Sequence, residues 1–373
     1  MKILYFDFEK AFDSVSVPKL LYKLMHFGIR GRLFSCIESF LTNRSQRVRV
    51  GNCLSNSLSV ISGVPQGSVL GPFLFLLFIN DLPDIIDDGF HAKLFADDLK
   101  SYNIFDYRVN PSAVQISLDS VSAWADNWQL RLSTSKCGSL LLNNNSWFED
   151  ETNLLLGDNS LAVFDTVKDL GVIVDSNLSF SPHIDSVISK AKQRIYLIFK
   201  SFESRDIALF TFAYKTYILP ILDYCSSIWS PYKFSAIDRL ENVQRFFTKR
   251  LKGLWNKSYA ERLGICKLTS LELRRLIFDI ILCYKIINKL VSLEFSDFFE
   301  FDQNTRTRGH NFKLRIPKFK TNFRQYFFSV RIVPVWNSLP YEIVNCNSVS
   351  QLKNLLNGFN LSTFLIRNYD VFN

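Results

Sequence analysis

Three acidic residues lie where predicted strands end or turn. Asp7 closes a short alternating stretch, and Asp97 and Asp98 sit side by side between two others. Carboxylates at one sheet edge can hold hard cations such as Mg²⁺ together with substrate phosphates. Two such ions can activate a hydroxyl and stabilise a leaving phosphate. A lone Asp after a strand or an Asp pair in a hairpin is more often a turn residue, so context has to decide.

The elements that position these acids form an α+β pattern. Residues 2–8 predict a short strand ending near Asp7, and residues 90–104 predict a hairpin with Asp97 and Asp98 at or near its tip. If these strands are neighbours, the carboxylates converge. The other predicted elements are helices over 16–28, 32–41, 72–82 and 110–128, a hairpin over 46–61 with a turn at Gly51-Asn52, and strands over 137–142 and 167–174. This order predicts an antiparallel-rich sheet with helices on one face.

Three motifs carry a family resemblance. Residues 6–15 (FDFEKAFDSV) resemble the first catalytic motif of reverse transcriptases of non-LTR (LINE-type, jockey-like) retrotransposons. Residues 63–72 (GVPQGSVLGP), which run into 76–82, resemble the second motif, and residues 95–98 (FADD) resemble the third. The resemblance implies a right-hand polymerase palm that copies an RNA template by adding deoxynucleoside triphosphates to a DNA primer.

The resemblance also implies roles for the acids and for one lysine. Asp7 and Asp97 would hold two Mg²⁺ ions, with Mn²⁺ as an alternative, and Asp98 would be a further acid at the site. The main-chain carbonyl of Phe8 would add a metal ligand. Lys136 resembles the lysine of a fourth motif, which would neutralise or protonate the pyrophosphate; the alternative is a solvated surface lysine.

Three residues are implied in nucleotide binding. Phe12 stands where the family keeps an aromatic steric gate, whose ring leaves no room for a 2′-hydroxyl. Gln66 and Gly67 would lie under the incoming nucleotide and the template base. The alternatives are that Phe12 is a core residue and that the Pro-Gln-Gly segment is an ordinary turn.

Primer and template contacts are expected later in the chain. Residues 167–172 resemble the strand of the primer grip, so Leu170 and Gly171 would contact the primer; a plain bulge at Gly171 is the alternative. A helical segment with Lys and Arg on its polar faces follows, and it resembles the thumb of the family.

The last segment is basic and aromatic. No Asp or Glu occurs over residues 303–341, and Phe, Tyr and Trp alternate there with cations. Cations neutralise phosphates and rings stack on bases, so the segment is predicted to bind primer or template. The alternative is a packed domain with an aromatic core and solvated charges. The candidate contacts are Arg306, Arg308, Lys313, Arg315, Lys318 and Lys320.

The predicted domains are a palm with residual fingers over 1–181, a thumb over 182–295 and a basic region over 296–373. Only six residues precede Asp7, whereas the family carries a long fingers region there. We therefore expect an N-terminally truncated member, and an inactive relic that only binds nucleic acid is the second hypothesis. A nuclease or cyclase with two metal ions is a third, which the Pro-Gln-Gly loop and Phe12 disfavour.

Composition narrows the partners and the compartment. The net charge of +9 favours a polyanion, either nucleic acid or an acidic membrane. The longest apolar run, residues 69–79, is shorter than the roughly 20 residues that span a bilayer. The first residues carry acids too early for a secretory signal. The seven cysteines lack C-x-x-C spacing, which does not support a zinc site, and their odd number favours reduced thiols in an intracellular compartment. We expect an intracellular protein of the nucleus or cytoplasm, without a membrane segment.

Overall fold

The computed structural model describes residues 1–86, 89–103, 112–142, 154–204, 206–302, 310–367 and 369. These residues form two compact units. The first is Met1–Val167 with Asp175–Asn177, and the second is Lys168–Val174 with Leu178–Asn373. The domain boundaries near 181 and 295 stay predictions.

The first unit combines short strands with five helices among its described residues. Its strands are β1 (Lys2–Phe6), β2 (Ser45–Gln46), β3 (Arg49–Val50), β4 (Cys53–Leu54), β5 (Leu58–Ser59), β6 (His91–Phe95), β7 (Asp98–Asn103), β8 (Gly138–Leu141), β9 (Leu155–Leu156), β10 (Asn159–Ser160) and β11 (Ala162–Phe164). Its helices are α1 (Ala11–Ser14), α2 (Val17–His26), α3 (Gly31–Leu41), α4 (Leu70–Ile79) and α5 (Ser112–Trp128), with a 3-10 helix at Pro83–Ile85.

A five-stranded sheet organises the first unit. Its strand order is β11-β8-β1-β7-β6, and β1 lies in the middle. β1 pairs antiparallel with β7 and β8, β6 pairs antiparallel with β7, and β11 runs parallel to β8. The first strand of the chain is therefore held on both edges by strands that come about 100 and 140 residues later.

The core of this unit lies on one face of the sheet. Because side chains alternate along a strand, Leu4, Phe6 and Phe8 point to the same side, and all three are buried. They pack with buried residues of α2, α4 and α5. α4 is apolar on every side, and its Phe75 and Phe78 are fully buried. The predicted α+β class is confirmed.

Two local predictions differ from the structure. The hairpin over 46–61 consists of two separate pairs, β2 with β5 and β3 with β4, around the predicted turn at Gly51. The prediction of a single strand over 167–174 is wrong. These residues belong to a hairpin of β12 (Thr166–Asp169) and β13 (Val172–Asp175), because Leu170 and Gly171 have positive φ of 43° and 91° and turn the chain.

The second unit is helical, with two neighbouring cores. Its helices are α6 (Ser181–Ser201), α7 (Ile207–Tyr217), α8 (Leu219–Asp223), α9 (Ser226–Trp229), α10 (Phe234–Lys249), α11 (Tyr259–Cys266), α12 (Leu271–Ile287), α13 (Phe295–Phe298), α14 (Asn322–Gln325), α15 (Phe328–Ser338), α16 (Tyr341–Val344) and α17 (Val349–Asn357), with a 3-10 helix at Ser362–Phe364. One core involves α6, α7, α10 and α11, and the other involves α12, α15, α16 and α17. Among the described residues of the whole chain, no helix has the length and apolarity needed to cross a membrane.

A buried histidine lies in the first turn of α6. His183 is 4% exposed, and its Nδ1 accepts a hydrogen bond of 3.2 Å from the N–H of Ile173. Its ring packs edge-on against Trp229 at 5.0 Å between centroids. Burial, with a smaller contribution from the charge of Lys190, lowers the pKa of His183 from 6.5 to about 4. The folded protein therefore keeps this imidazole neutral.

We predict that His183 makes the helical unit acid-sensitive. Between the unfolded pKa of 6.5 and the folded pKa of about 4, the unfolded state binds the proton more tightly. The contribution of His183 to the free energy of unfolding is fully present above pH 6.5. It is lost as the pH falls towards the folded pKa of about 4, which lowers the free energy of unfolding by up to about 3 kcal/mol. Urea unfolding of the wild type and His183→Asn between pH 7.5 and 4.5 measures this. The variant keeps an acceptor, so its curve should be flatter, and parallel curves would contradict the assignment.

Candidate active site

Asp7 directly follows the central strand. Beyond β1, the main-chain oxygen of Asp7 accepts from the N–H of Ser133 at 2.8 Å, and its N–H donates to Sγ of Cys137 at 3.4 Å. Cys137 is fully buried, and burial raises the pKa of its thiol. The backbone of Asp7 is thus fixed, while its carboxylate remains partly exposed.

The other two acids lie at the predicted hairpin tip. Phe95 pairs with Asp98, so Ala96 and Asp97 form the two-residue turn between β6 and β7. Ala96 has φ of 52°, in the left-handed region that tight turns require. Asp98 is the first residue of β7. The predicted position of both acids at the tip is confirmed.

The register of β1 and β7 brings two of the acids together. Phe6 pairs with Leu99, and continuing the antiparallel register by one residue places Asp7 opposite Asp98. Opposite residues have Cβ atoms about 4.5–5.5 Å apart and point to the same face. Asp97 follows in the turn itself. A strand end and a hairpin tip therefore meet at one edge of the sheet, as predicted for neighbouring strands.

The main chain of Phe8 has a defined orientation at this edge. Phe8 forms an antiparallel bridge with Leu132, and the two hydrogen bonds of that bridge are made by the neighbours Asp7 and Glu9. Successive carbonyls along an extended chain point to opposite sides. The Phe8 carbonyl therefore points away from Leu132, towards the side on which β7 lies.

Lys136 contacts Asp7. Its Nζ lies 3.2 Å from Oδ1 of Asp7, and its side chain is 65% exposed. Water screens such a pair, so it contributes little to stability. Lys136 is thus a surface lysine that contacts the acid cluster, and its action on pyrophosphate stays a prediction.

The donors suit a hard divalent cation that is shared with a substrate. Within the described ranges, no three His, Cys, Asp or Glu side chains are already close enough together to hold an ion by themselves. Mg²⁺ commonly takes one or two carboxylates and completes its shell with substrate phosphates and water. Asp7, Asp98 and the Phe8 carbonyl offer oxygens at one edge, which fits this mode of binding.

A small cavity lies between α1 and the loop before α4. It has a volume of about 260 Å³ and is lined by Phe12, Val64, Pro65, Gln66, Gly67, Gly71 and Pro72. All three residues expected to bind the nucleotide are in this set. Gly67 has φ of 78°, and the space that a Cβ would occupy there is open.

Phe12 joins this cavity to the core. Its ring stacks on Phe75 at 4.2 Å between centroids with an interplanar angle of 24°. Phe75 is fully buried, whereas Phe12 is partly exposed. Phe12 therefore packs on the core and also forms part of the cavity wall, so the gate and core interpretations are compatible.

A buried lysine holds the helices behind the site. Lys23 of α2 is 4% exposed, and its Nζ donates to the carbonyl of Phe78 and the carboxylate of Asp81, both at 2.5 Å. The same Nζ lies 3.7 Å from the ring centroid of Trp128 and 4.8 Å from that of Trp124. Burial lowers the pKa of Lys23, and Asp81 opposes that shift. This contact ties α2, α4 and α5 together.

In the second unit, Leu170 and Gly171 form an exposed turn. The hydroxyl of Tyr224 donates to the carbonyl of Leu170 at 2.8 Å. A Cβ on Gly171 would lie 3.3 Å from the Tyr224 ring, and a positive φ of 91° also favours glycine there. Tyr224 therefore fixes this turn.

The basic segment is partly exposed and partly core. Arg306 and Arg308 lie outside the described residues. Lys318 and Lys320 are exposed, as are the rings of Phe319 and Phe323. Lys313 is half-buried, and Arg315 forms an exposed ion pair with Glu300 at 2.9 Å.

Other members of this segment are structural. Trp336 and Phe328 are buried in the core of α12, α15 and α17. Arg331 forms an ion pair with the buried Asp279 at 2.9 Å, and burial raises the pKa of that carboxyl. The alternative of an aromatic core therefore applies to these residues.

Several contacts around the site were not predicted from the sequence. Asp13 accepts a hydrogen bond from Gln66, and Arg44 donates to the carbonyl of Gly63. Neither contact could be predicted, because no periodicity or spacing in the sequence relates Asp13 to Gln66 or Arg44 to Gly63. Lys23 did carry one, because it lies on the same helical face as the buried Leu20.

Comparisons with known proteins agree with the family resemblance of the motifs at residues 6–15, 63–72 and 95–98. Residues 2–196 match the family model described as reverse transcriptase (RNA-dependent DNA polymerase). The RNA-directed DNA polymerase from mobile element jockey of Drosophila melanogaster is 27% identical over 262 residues, which are 67% of this chain and 28% of that protein. The polymerase of the same name from Drosophila funebris is 31% identical over 198 residues, 51% of this chain and 21% of that protein.

The chain therefore spans about a quarter of the length of these curated relatives. Among solved structures, telomerase from Candida albicans in complex with a fragment of telomeric RNA is similar with a TM-score of 0.33 and 12% identity, over 74% of this chain and 48% of that one. Since the family model covers more than half of its residues, the chain belongs to the reverse transcriptase (RNA-dependent DNA polymerase) family, and its relatives are polymerases of non-LTR retrotransposons.

Proposed function

We propose that this chain is the catalytic part of an RNA-directed DNA polymerase of a retrotransposon. Its substrates are an RNA template, a DNA primer and deoxynucleoside triphosphates, and its products are the extended DNA primer and pyrophosphate. The observation that supports this most is the pairing of Phe6 with Leu99, because one further residue of this register sets Asp7 against Asp98, next to Asp97 in the hairpin turn. The family match and the cavity at Phe12 support the same function.

In this proposal the carboxylates hold the metal ions. Asp7, Asp97 and Asp98 with the Phe8 carbonyl supply hard oxygen donors for two Mg²⁺ ions, or for Mn²⁺ instead. When bound, such ions activate the primer 3′-hydroxyl and stabilise the leaving pyrophosphate. The protein contributes the geometry, because the β1–β7 register fixes where the carboxylates stand.

Lys136 would act on the leaving group. Its ammonium lies 3.2 Å from Asp7, so it is already at the acid cluster. An exposed pair of this kind separates at little cost. The ammonium can then approach the developing pyrophosphate, neutralise it and donate a proton to it.

The cavity would receive the sugar and base of the incoming nucleotide. Phe12 is held against Phe75 and resists displacement, so its ring excludes a 2′-hydroxyl. Gln66 supplies hydrogen-bonding groups. At Gly67 the backbone is open to the ligand, because no side chain covers it.

Primer and template contacts are proposed for the second unit. Leu170 and Gly171 would approach the primer backbone through their exposed turn. Lys313, Arg315, Lys318 and Lys320, with Arg306 and Arg308, would neutralise phosphates. The exposed rings of Phe319 and Phe323 beside the lysines favour contact with unpaired bases.

The primary test is primer extension on an RNA template with Mg²⁺ and deoxynucleotides. The wild type should extend the primer, and Asp97→Ala with Asp98→Ala should reduce the rate by at least about a thousandfold, because the charge stabilisation supplied at the metals is lost. Asp158→Ala, an exposed acid in the turn between β9 and β10, is the matched control and should keep full activity.

Either of two results would contradict the proposal. One is extension that survives the double substitution. The other is a wild type that binds an RNA–DNA duplex in a salt-sensitive way and yet never extends it, which is the behaviour of a relic that only binds nucleic acid.

A second prediction concerns selection of the sugar. Phe12→Ala should raise the use of ribonucleotides relative to deoxynucleotides by roughly tenfold or more, because a discriminating contact is removed. The ratio of kcat/KM for the two nucleotide classes measures this. Phe73→Ala, an exposed phenylalanine of α4 that does not line the cavity, should leave the ratio unchanged. An unchanged ratio in Phe12→Ala would show that the ring serves packing alone.

A further inference from the structure

One contact at the cavity has no role in the mechanism above. Nε2 of Gln66 donates a hydrogen bond of 2.7 Å to Oδ1 of Asp13. Asp13 belongs to α1, and both side chains are exposed. Asp13 does not line the cavity, but Gln66 does.

The chemistry of this pair fixes the orientation of the amide. An ionised carboxylate has acceptors only, whereas the Gln66 amide has a donor end and an acceptor end. The donor end must therefore face Asp13. As a result, Oε1 of Gln66 points away from Asp13 and is available to accept a hydrogen bond from a ligand, while Nε2 keeps one further N–H.

The backbone holds the two residues in place. The N–H of Gly63 donates to Val15 O at 2.8 Å, and the N–H of Val64 donates to Phe12 O at 2.9 Å. The hydroxyl of Ser62 donates to the carbonyl of Asp13 at 2.9 Å. The loop before Gln66 is thus bonded to the chain on both sides of Asp13.

Gly63 makes this close approach sterically possible. A Cβ on Gly63 would lie 2.8 Å from Cα of Asp13, and the φ of Gly63 is 83°. Glycine therefore lets the two backbones touch. With both backbones fixed, the Asp13–Gln66 hydrogen bond determines only the direction of the amide.

We propose that Asp13 is a positioning residue that presents Oε1 of Gln66 as an acceptor to a donor group of the incoming deoxynucleotide. The donor is a base N–H or the sugar 3′-hydroxyl, the groups of a nucleotide that can serve an acceptor. This inference rests on the proposed function, since it assigns the cavity to a deoxynucleotide.

Because the Asp13–Gln66 pair is exposed, its effect on nucleotide binding can be measured separately from its effect on the free energy of unfolding. A hydrogen bond between exposed side chains competes with water and adds little to the free energy of unfolding. A bound nucleotide would exclude that water, so the direction of the amide would then affect affinity. Loss of Asp13 should therefore weaken nucleotide binding without a change in the unfolding midpoint.

The test is equilibrium binding of a radiolabelled deoxynucleoside triphosphate with Mg²⁺, without template or primer. Asp13→Ala, Asp13→Asn and Gln66→Glu should each weaken binding by roughly five- to twentyfold. The double variant Asp13→Asn with Gln66→Glu keeps the net charge and reverses the bond. The new amide donates to the new carboxylate, whose other oxygen is again an acceptor. It should bind more tightly than either single variant.

Asp119→Asn is the matched control. Asp119 accepts from Nε2 of Gln115 at 2.8 Å, an exposed bond of the same kind on α5 and away from the cavity. This variant should bind the nucleotide like the wild type.

Other results would overturn the inference. These are full affinity in Asp13→Ala, additive losses in the double variant, a lowered unfolding midpoint that accounts for the loss, or no nucleotide binding by the wild type. Primer extension, measured alongside, separates the two proposals. Rescue in the binding assay without extension contradicts only the proposed function, and extension without rescue contradicts only the role of Asp13.

Discussion

The site depends on the antiparallel pairing of β1 with β7. Backbone hydrogen bonds fix the partner of every residue, and a slip of one position would move each side chain to the other face of the sheet. The pairing of Phe6 with Leu99 therefore determines that Asp7 meets Asp98. Burial of Leu4 and Phe6 on one face prevents such a slip. The hydrophobic core and the position of the acids are thus two consequences of the same register.

A second set of backbone bonds aligns the cavity at Phe12 with the acids. α1 begins four residues after Asp7, and the loop at residues 62–64 is bonded to it. Phe12 and Gln66 consequently have fixed positions relative to the strand end. The buried ammonium of Lys23 supports this arrangement from behind, because it joins α2, α4 and α5 through Asp81 and the tryptophan rings. Positioning of this kind is what a polymerase site needs before chemistry begins.

Much of this arrangement could be predicted from the sequence. Alternation and helical periodicity gave the sheet, the helices and the hairpin with Asp97 and Asp98, because burial on one face leaves a local pattern. Side-chain contacts between distant segments leave none, so the Asp13–Gln66 bond and the Lys23–Asp81 pair appeared only in three dimensions. The strand predicted over 167–174 failed because positive φ at Leu170, a residue that rarely adopts it, makes the turn. The aromatic residues of the last segment were ambiguous, since the sequence does not distinguish a Phe or Trp in the core from one on the surface.

We propose that the end of the β1–β7 pair, at Asp7 and Asp98, forms a metal site together with the nucleotide phosphates. Electron paramagnetic resonance of Mn²⁺ tests it directly, with titrations of protein, deoxynucleotide and both together. Mn²⁺ should bind the protein and nucleotide together at least about tenfold more tightly than it binds either alone, and Asp7→Asn should remove the gain. Equal Mn²⁺ affinity with and without nucleotide, or a gain that survives Asp7→Asn, would contradict the account.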